Sequence, residues 1–252
     1  MKKNTFIAVL IAAITFISLS CQAQRVNETN VTFLVDVTDP VVFEEDIVTD
    51  FEQNLNAFFT NAGIARIDFG ERLRVRMAPI DESDRLTLHS NSIALLDKGV
   101  SRKKAEKQRN PRPLVQLIKS ELDQYKSLSQ KKNAFSPIIS LTLKTLRELD
   151  PETREILVIV TDGIEHSTYG DFYKSIPTTE KSVNQLIAKI DPLLLEEAKR
   201  QADDSSPEVI IVLKNNPKVK TAELKKFYSL FLTRLGVTTI RFIDNLSNNT
   251  NL

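Results

Sequence analysis

Tryptophan is absent from this chain of 252 residues, cysteine occurs once and glycine only six times. No internal repeat or low-complexity tract is visible. The lone cysteine, Cys21, falls at the end of an export leader, so the mature chain has no disulfide. A domain of this length buries enough apolar surface to do without one. Charge of one sign is missing too, with 34 Lys and Arg against 33 Asp and Glu. Nothing in that balance points to electrostatic capture of nucleic acid or of an anionic membrane. After the leader, no stretch is long and apolar enough to span a bilayer.

The leader itself has the expected three parts. Lys2 and Lys3 give a positive start, residues 6–19 an apolar run, and Ser18, Leu19, Ser20 and Cys21 a cleavage region. The apolar run is shorter than the roughly 20 residues a membrane-spanning helix needs, which places removal of residues 1–20 ahead of a retained anchor. Cys21 resembles the acylated cysteine of a bacterial lipoprotein. Ser18 stands where such signals carry Leu, Val or Ile, and cleavage after Ala23 by ordinary signal peptidase is the alternative. The expectation is an exported protein of the cell envelope, either a periplasmic or outer-membrane lipoprotein or a soluble periplasmic or secreted form. Any membrane attachment runs through the lipid alone.

A polar linker over residues 21–30 leads to Val31-Thr32-Phe33-Leu34-Val35, a buried-strand signature that stops at Asp36. Ile47, Phe51, Leu55 and Phe58 predict a helix over residues 43–59, with Glu44, Glu45 and Asp46 at its positive end. Residues 73–80 alternate around Arg74 and Arg76, predicting a strand with one wetter face. Residues 86–88 and 93–96 read as a further strand or hairpin partner, with His89 structural. The basic run over residues 101–113 reads as a solvated loop, or as a docking surface for an acidic partner.

Leu114, Ile118, Leu122 and Tyr125 predict the next helix, and Ser136-Pro137 opens another. The run Ile156-Leu157-Val158-Ile159-Val160 is apolar on both faces and ends at Thr161-Asp162-Gly163, as a central parallel strand does. A helix carrying Val183, Leu186, Ile187 and Ile190 follows, then a strand over residues 209–213. Thr221 is the expected cap of the helix ended by Gly236, and residues 237–243 form the last strand before a polar tail at 245–252. Alternating strands and helices predict one α/β domain over residues 31–244: a doubly wound, mainly parallel sheet with helices on both faces. Ligands bind such sheets at the carboxyl ends of the strands, and both Asp36 and Asp162 lie there.

Three segments converge on that edge: Asp36 to Pro40, Ala134 to Pro137, and Thr161 to Gly163. They supply carboxylates and hydroxyls, hard oxygen donors suited to Mg²⁺, Mn²⁺ or Ca²⁺. Each residue also has a plainer role: Ser136 as a helix cap with Pro137 in the first turn, Thr38 and Asp39 as turn formers. His166, on the same loop as Asp162, is a candidate for the rim.

With these segments in this order, the chain from Val31 to about Asp244 resembles the von Willebrand factor type A domain family. The resemblance implies a metal-ion-dependent adhesion site, in which Asp36 and Thr38 match the first aspartate and hydroxyl. Ser136 stands for the family's threonine, and Asp162 matches the last aspartate, which often acts through water. Pro40 occupies the place of the second hydroxyl and has no side-chain oxygen; Asp39 beside it should point elsewhere. The family pattern implies a protein partner, which often offers an acidic side chain to the ion.

Three functions follow as expectations. The first is a non-catalytic envelope module that binds a protein through a Mg²⁺-dependent site. The second keeps the fold without the ion and binds through helices or the basic insertion. The third is a Mg²⁺-dependent phosphohydrolase with Asp36 as nucleophile, for which Thr38 stands where haloacid dehalogenase-like enzymes carry a second acid.

Overall fold

The computed structural model describes residues 27–43, 71–93, 112–129, 135–214 and 216–243. The leader with Cys21, nearly all of the helix expected over 43–59, most of the basic run and the polar tail lie outside the described residues. Six strands form one sheet in the order β3-β2-β1-β4-β5-β6. They are β1 (Asn27–Asp36), β2 (Glu71–Ile80), β3 (His89–Ile93), β4 (Arg154–Thr161), β5 (Glu208–Leu213) and β6 (Thr239–Ile243). All neighbours run parallel except the edge pair β2 and β3. The helices are α1 (Arg112–Ser129), α2 (Ile138–Arg147), α3 (Glu180–Ile187), α4 (Pro192–Ser205) and α5 (Thr221–Arg234).

Period-two alternation sends the apolar strands to two cores. Val31, Phe33 and Val35 of β1, with Ile156, Val158 and Val160 of β4, meet Ile118, Leu122 and Tyr125 of α1 on one face. Leu34, Leu157 and Ile159 point the other way, onto α2 and onto Phe227, Tyr228 and Phe231 of α5. Burying one such side chain contributes about 1.5–3 kcal/mol. Two covered faces explain why β4 is apolar throughout: every residue after Arg154 is buried. This is the doubly wound, mainly parallel α/β sheet that the residue pattern predicts.

Local differences have local causes. β1 starts at Asn27, inside the expected linker, and Asn30 is buried because its amide donates to Glu155 at 2.7 Å. Arg76 does not face water: it is buried, with Nη2 2.7 Å from Glu155 and Nε donating to Thr32 at 2.8 Å. Of the strand or hairpin partner expected at 86–88 and 93–96, residues 86–88 are not a strand and 94–96 lie outside the described residues; the strand is His89–Ile93, where an edge position tolerates its polar composition. Sequence periodicity misses α4, whose buried positions are the small Ala198 and Ala202; Asp191 caps it by accepting from the Leu194 N–H at 2.9 Å. Thr221 is the first residue of α5 rather than its cap, which is Lys220 with no side-chain cap bond. Gly236, at φ +90°, ends that helix as expected. Among the described residues, no helix is long and apolar enough to cross a membrane.

Candidate functional site

β1 and β4 are neighbours, and strand order turns back between them, so their carboxyl ends open a crevice. Asp36, the last residue of β1, is completely buried. Its Oδ1 accepts from the Thr38 N–H at 2.9 Å and from the Thr38 hydroxyl at 2.6 Å. Its Oδ2 accepts from the Thr161 hydroxyl at 2.7 Å and faces the Ser136 hydroxyl at 3.5 Å, a long contact. Asp39 turns away from this pocket: its carboxylate accepts from the Val41 N–H at 2.9 Å and opens the short 3-10 turn Pro40–Phe43.

Ser136 reaches the pocket by backbone pairing. Its N–H donates to the His166 carbonyl at 2.8 Å, and the His166 N–H returns the bond at 3.1 Å. Ser136 is not the cap of α2, which begins at Ile138 with Pro137 in the cap position and no side-chain cap bond. Glu165 takes over that work: its Oε2 accepts from the Ile139 N–H at 2.8 Å, and its Oε1 from the Ser167 hydroxyl. The carboxylate also favours the positive end of α2. The His166 ring stands edge-on to Tyr173, with centroids 6.0 Å apart, and Lys218 lies 5.6 Å over the Tyr173 ring.

Asp162 is held from both sides. Oδ1 accepts from the Ile164 N–H at 2.9 Å and Oδ2 from the Asn216 amide at 2.8 Å. The loop turns at Gly163 with φ +80°, and a Cβ there would come within 2.9 Å of Leu213. Tyr228 steadies the turn by donating its hydroxyl to the Gly163 carbonyl at 3.1 Å.

Three buried acids therefore share one region, and no ion pair among the described residues reaches Asp36, Asp162 or Glu165. Burial raises the Asp36 carboxyl above its ordinary range, against the opposing hydrogen bonds from Thr38 and Thr161. Asp162 is pushed up to about 7, by burial first and the charge of Asp36 second. Glu165 is pushed up to about 8, chiefly by burial. The Tyr173 hydroxyl rises to about 12 from burial and then from the charges of Asp162, Asp39 and Asp36, which puts that ring in the field of the site.

This donor set fits a hard divalent cation in kind and in charge. Thr38 and Ser136 turn their hydroxyl protons toward Asp36, leaving oxygen lone pairs for an ion, while Asp36 and Asp162 supply the compensating charge. Thr38, Ser136, Asp36 and Asp162 are the residues that would hold it, the last two directly or through water. Polar satisfaction does not demand the ion, because Asp36 and Asp162 already accept protein hydrogen bonds on both oxygens. Among the described residues, no cluster of three or more His, Cys, Asp or Glu side chains is arranged to hold a metal.

Sequence reasoning passes over Glu165 and Asn216, and places Thr161 in a converging segment without giving it a role of its own. Asn216 had a partial signal, since it lies just past the carboxyl end of β5. Glu165 had none, because its partner is a backbone N–H of a helix elsewhere in the sequence.

No family model matches the chain, and no curated protein matches it. Solved structures give loose likenesses. Proximal thread matrix protein 1 from the mussel byssus aligns at 10% identity over 89% of this chain and 46% of its own, with a TM-score of 0.37. The manganese-loaded TRAP protein of Plasmodium vivax aligns at 11% identity over 86% and 69%, with a TM-score of 0.30. The human COPII-coat protein Sec24c aligns at 10% identity over 86% and 29%, with a TM-score of 0.38. The chain thus spans about half the length of the first of these. Scores this low do not assign the chain to a family.

Proposed function

We propose that this chain is a non-catalytic protein-binding module of the von Willebrand factor type A kind, exported to the cell envelope. It engages its partner through a Mg²⁺-dependent site at the carboxyl ends of β1 and β4, with Mn²⁺ or Ca²⁺ as substitutes. One observation carries the reading: buried Asp36 and Asp162 meet at adjoining strand ends among hydroxyl groups, with no basic partner among the described residues. Uncompensated buried charge is costly, and a divalent ion supplies the compensation. A partner carboxylate completing the coordination is the contact this chemistry favours.

Catalysis fits less well. Asp36 is fully buried and both its oxygens accept hydrogen bonds, which blunts it as a nucleophile. The metal-free scaffold is the second reading, favoured by the hydrogen bonds that already occupy both aspartates and by Pro40, which leads into the 3-10 turn without a side-chain oxygen.

Co-purification from the envelope, with Mg²⁺ or with a chelator, separates the two. The cation-dependent module loses its partner in chelator and as Asp36→Ala. A partner kept equally well under both conditions establishes the metal-free scaffold.

A further inference from the structure

Asn216 lies just beyond β5, the strand next to β4, and is 3% exposed. Both ends of its side chain are engaged. The amide donates to Asp162 Oδ2 at 2.8 Å, and the side-chain carbonyl accepts from the Lys218 N–H at 3.1 Å. Its backbone carbonyl also accepts from the Val219 N–H at 3.2 Å, closing a turn around it. A side-chain amide with a carboxylate at one end and an N–H at the other has one orientation. A buried amide fixed in this way transmits its orientation to the carboxylate it touches.

We infer that Asn216 is a positioning residue of the strand-end site, holding Asp162 in the orientation that serves the cation. The inference rests on the reading of that site as a cation site. The Ile164 N–H at 2.9 Å on Oδ1 and the Asn216 amide on Oδ2 brace the carboxylate from two elements, and each oxygen keeps a lone pair for the ion or its water. The amide comes from the segment that follows β5, so a third strand end contributes to a site otherwise built from β1, β4 and the Ser136 loop. Removing the outer-shell partner of a ligand weakens metal binding about 10- to 100-fold.

Mn²⁺ alone is the probe, titrated calorimetrically into the full chain. Asn216→Ala is expected to raise the Mn²⁺ dissociation constant about tenfold. Asn216→Ser, which restores a donor, should recover part of that loss. Asn216→Leu is close in shape and lacks a donor; it carries the comparison if the alanine variant does not fold. Metal-free melting of Asn216→Ala, Asp162→Ala and the double variant gives a second readout, with strongly non-additive effects expected. Unchanged Mn²⁺ affinity in a folded Asn216→Ala or Asn216→Leu chain overturns the positioning role and leaves the proposed function standing. If the parent chain binds no Mn²⁺, the proposed function falls and the melting cycle decides: coupling keeps Asn216 as the group that holds Asp162, additivity removes it.

Discussion

A single buried acid and a group of three lie at opposite ends of β1 and β4, and the two clusters solve the same problem differently. At the start of β4, Glu155 is buried against a cation of the protein's own, with Arg76 Nη2 at 2.7 Å. Asn30 and Thr153 donate to its Oε1 at 2.7 and 2.9 Å, and the Asp150 N–H does so at 3.1 Å. At the other end, Asp36, Asp162 and Glu165 have hydrogen bonds but no ion pair among the described residues. The first cluster is complete in charge, although the Asn30 Oδ1 within it has no hydrogen-bond partner among the described residues. The second is satisfied in hydrogen bonds without an ion pair among the described residues, and burial raises the pKa of each acid; as proposed, it takes its cation from solution. That contrast, rather than any single distance, is what the proposed cation site rests on.

The largest expected effect breaks the complete cluster. Glu155→Ala leaves Arg76 buried without its partner and should cost about 3–5 kcal/mol in denaturant unfolding. The loss should be the same with and without Mg²⁺, because the cluster draws on no external ion.

Asp36→Asn should behave in the opposite way. The metal-free chain should lose only about 1–2 kcal/mol, since the amide meets several donors with one acceptor oxygen. The Mg²⁺-induced rise in melting temperature should disappear altogether. A large metal-free loss with the Mg²⁺ response intact would erase the distinction between the clusters.

The pH dependence sharpens the comparison further. Asp162 and Glu165 have folded pKa values of about 7 and about 8, raised from 3.8 and 4.5. Between those limits the folded chain binds more protons than the unfolded chain, so stability falls as pH rises. Their contribution is fully present below about pH 4 and is lost as pH passes through about 7 and about 8. Melting of the metal-free chain from pH 5 to 9 should show this decline. Millimolar Mg²⁺ should reduce or reverse it, because the ion binds the ionised form. Flat melting across the range would mean that these acids ionise without penalty.

Pro40→Ser carries the smallest expected effect. A serine there restores the oxygen that the resemblance calls for, and Mg²⁺ affinity should improve by less than about tenfold, or about 1.4 kcal/mol. The 3-10 turn begins at this residue, so part of the gain is offset by disturbance of the turn.

The fold was legible wherever burial leaves a simple pattern. β4 is apolar on both faces and could be placed at the centre of the sheet from its composition alone. Elements that pair polar groups or bury small residues were not legible: Arg76 looks like a wet-face residue until Glu155 is set opposite it, and α4 hides its buried stripe in two alanines. At the site, Asp36 and Asp162 stood out because each closes an apolar strand. Glu165 acquires meaning only through a partner distant in sequence, the Ile139 N–H, while Thr161 and Asn216, near strand ends, gain their particular roles from the Asp36 and Asp162 carboxylates. Ser136 carries two readings in the sequence, stand-in for the family's threonine and helix cap; the cap bond belongs to Glu165, and Ser136 is brought to Asp36 by pairing with His166.

Calorimetric titration of the purified, chelator-treated chain with Mg²⁺ and Mn²⁺, repeated on Asp36→Ala, tests the central claim most directly. The account predicts saturable binding near one ion per chain, abolished in the variant. No heat and no shift in melting temperature at millimolar concentrations of either ion would contradict it, and would leave the three buried acids as features of the fold alone.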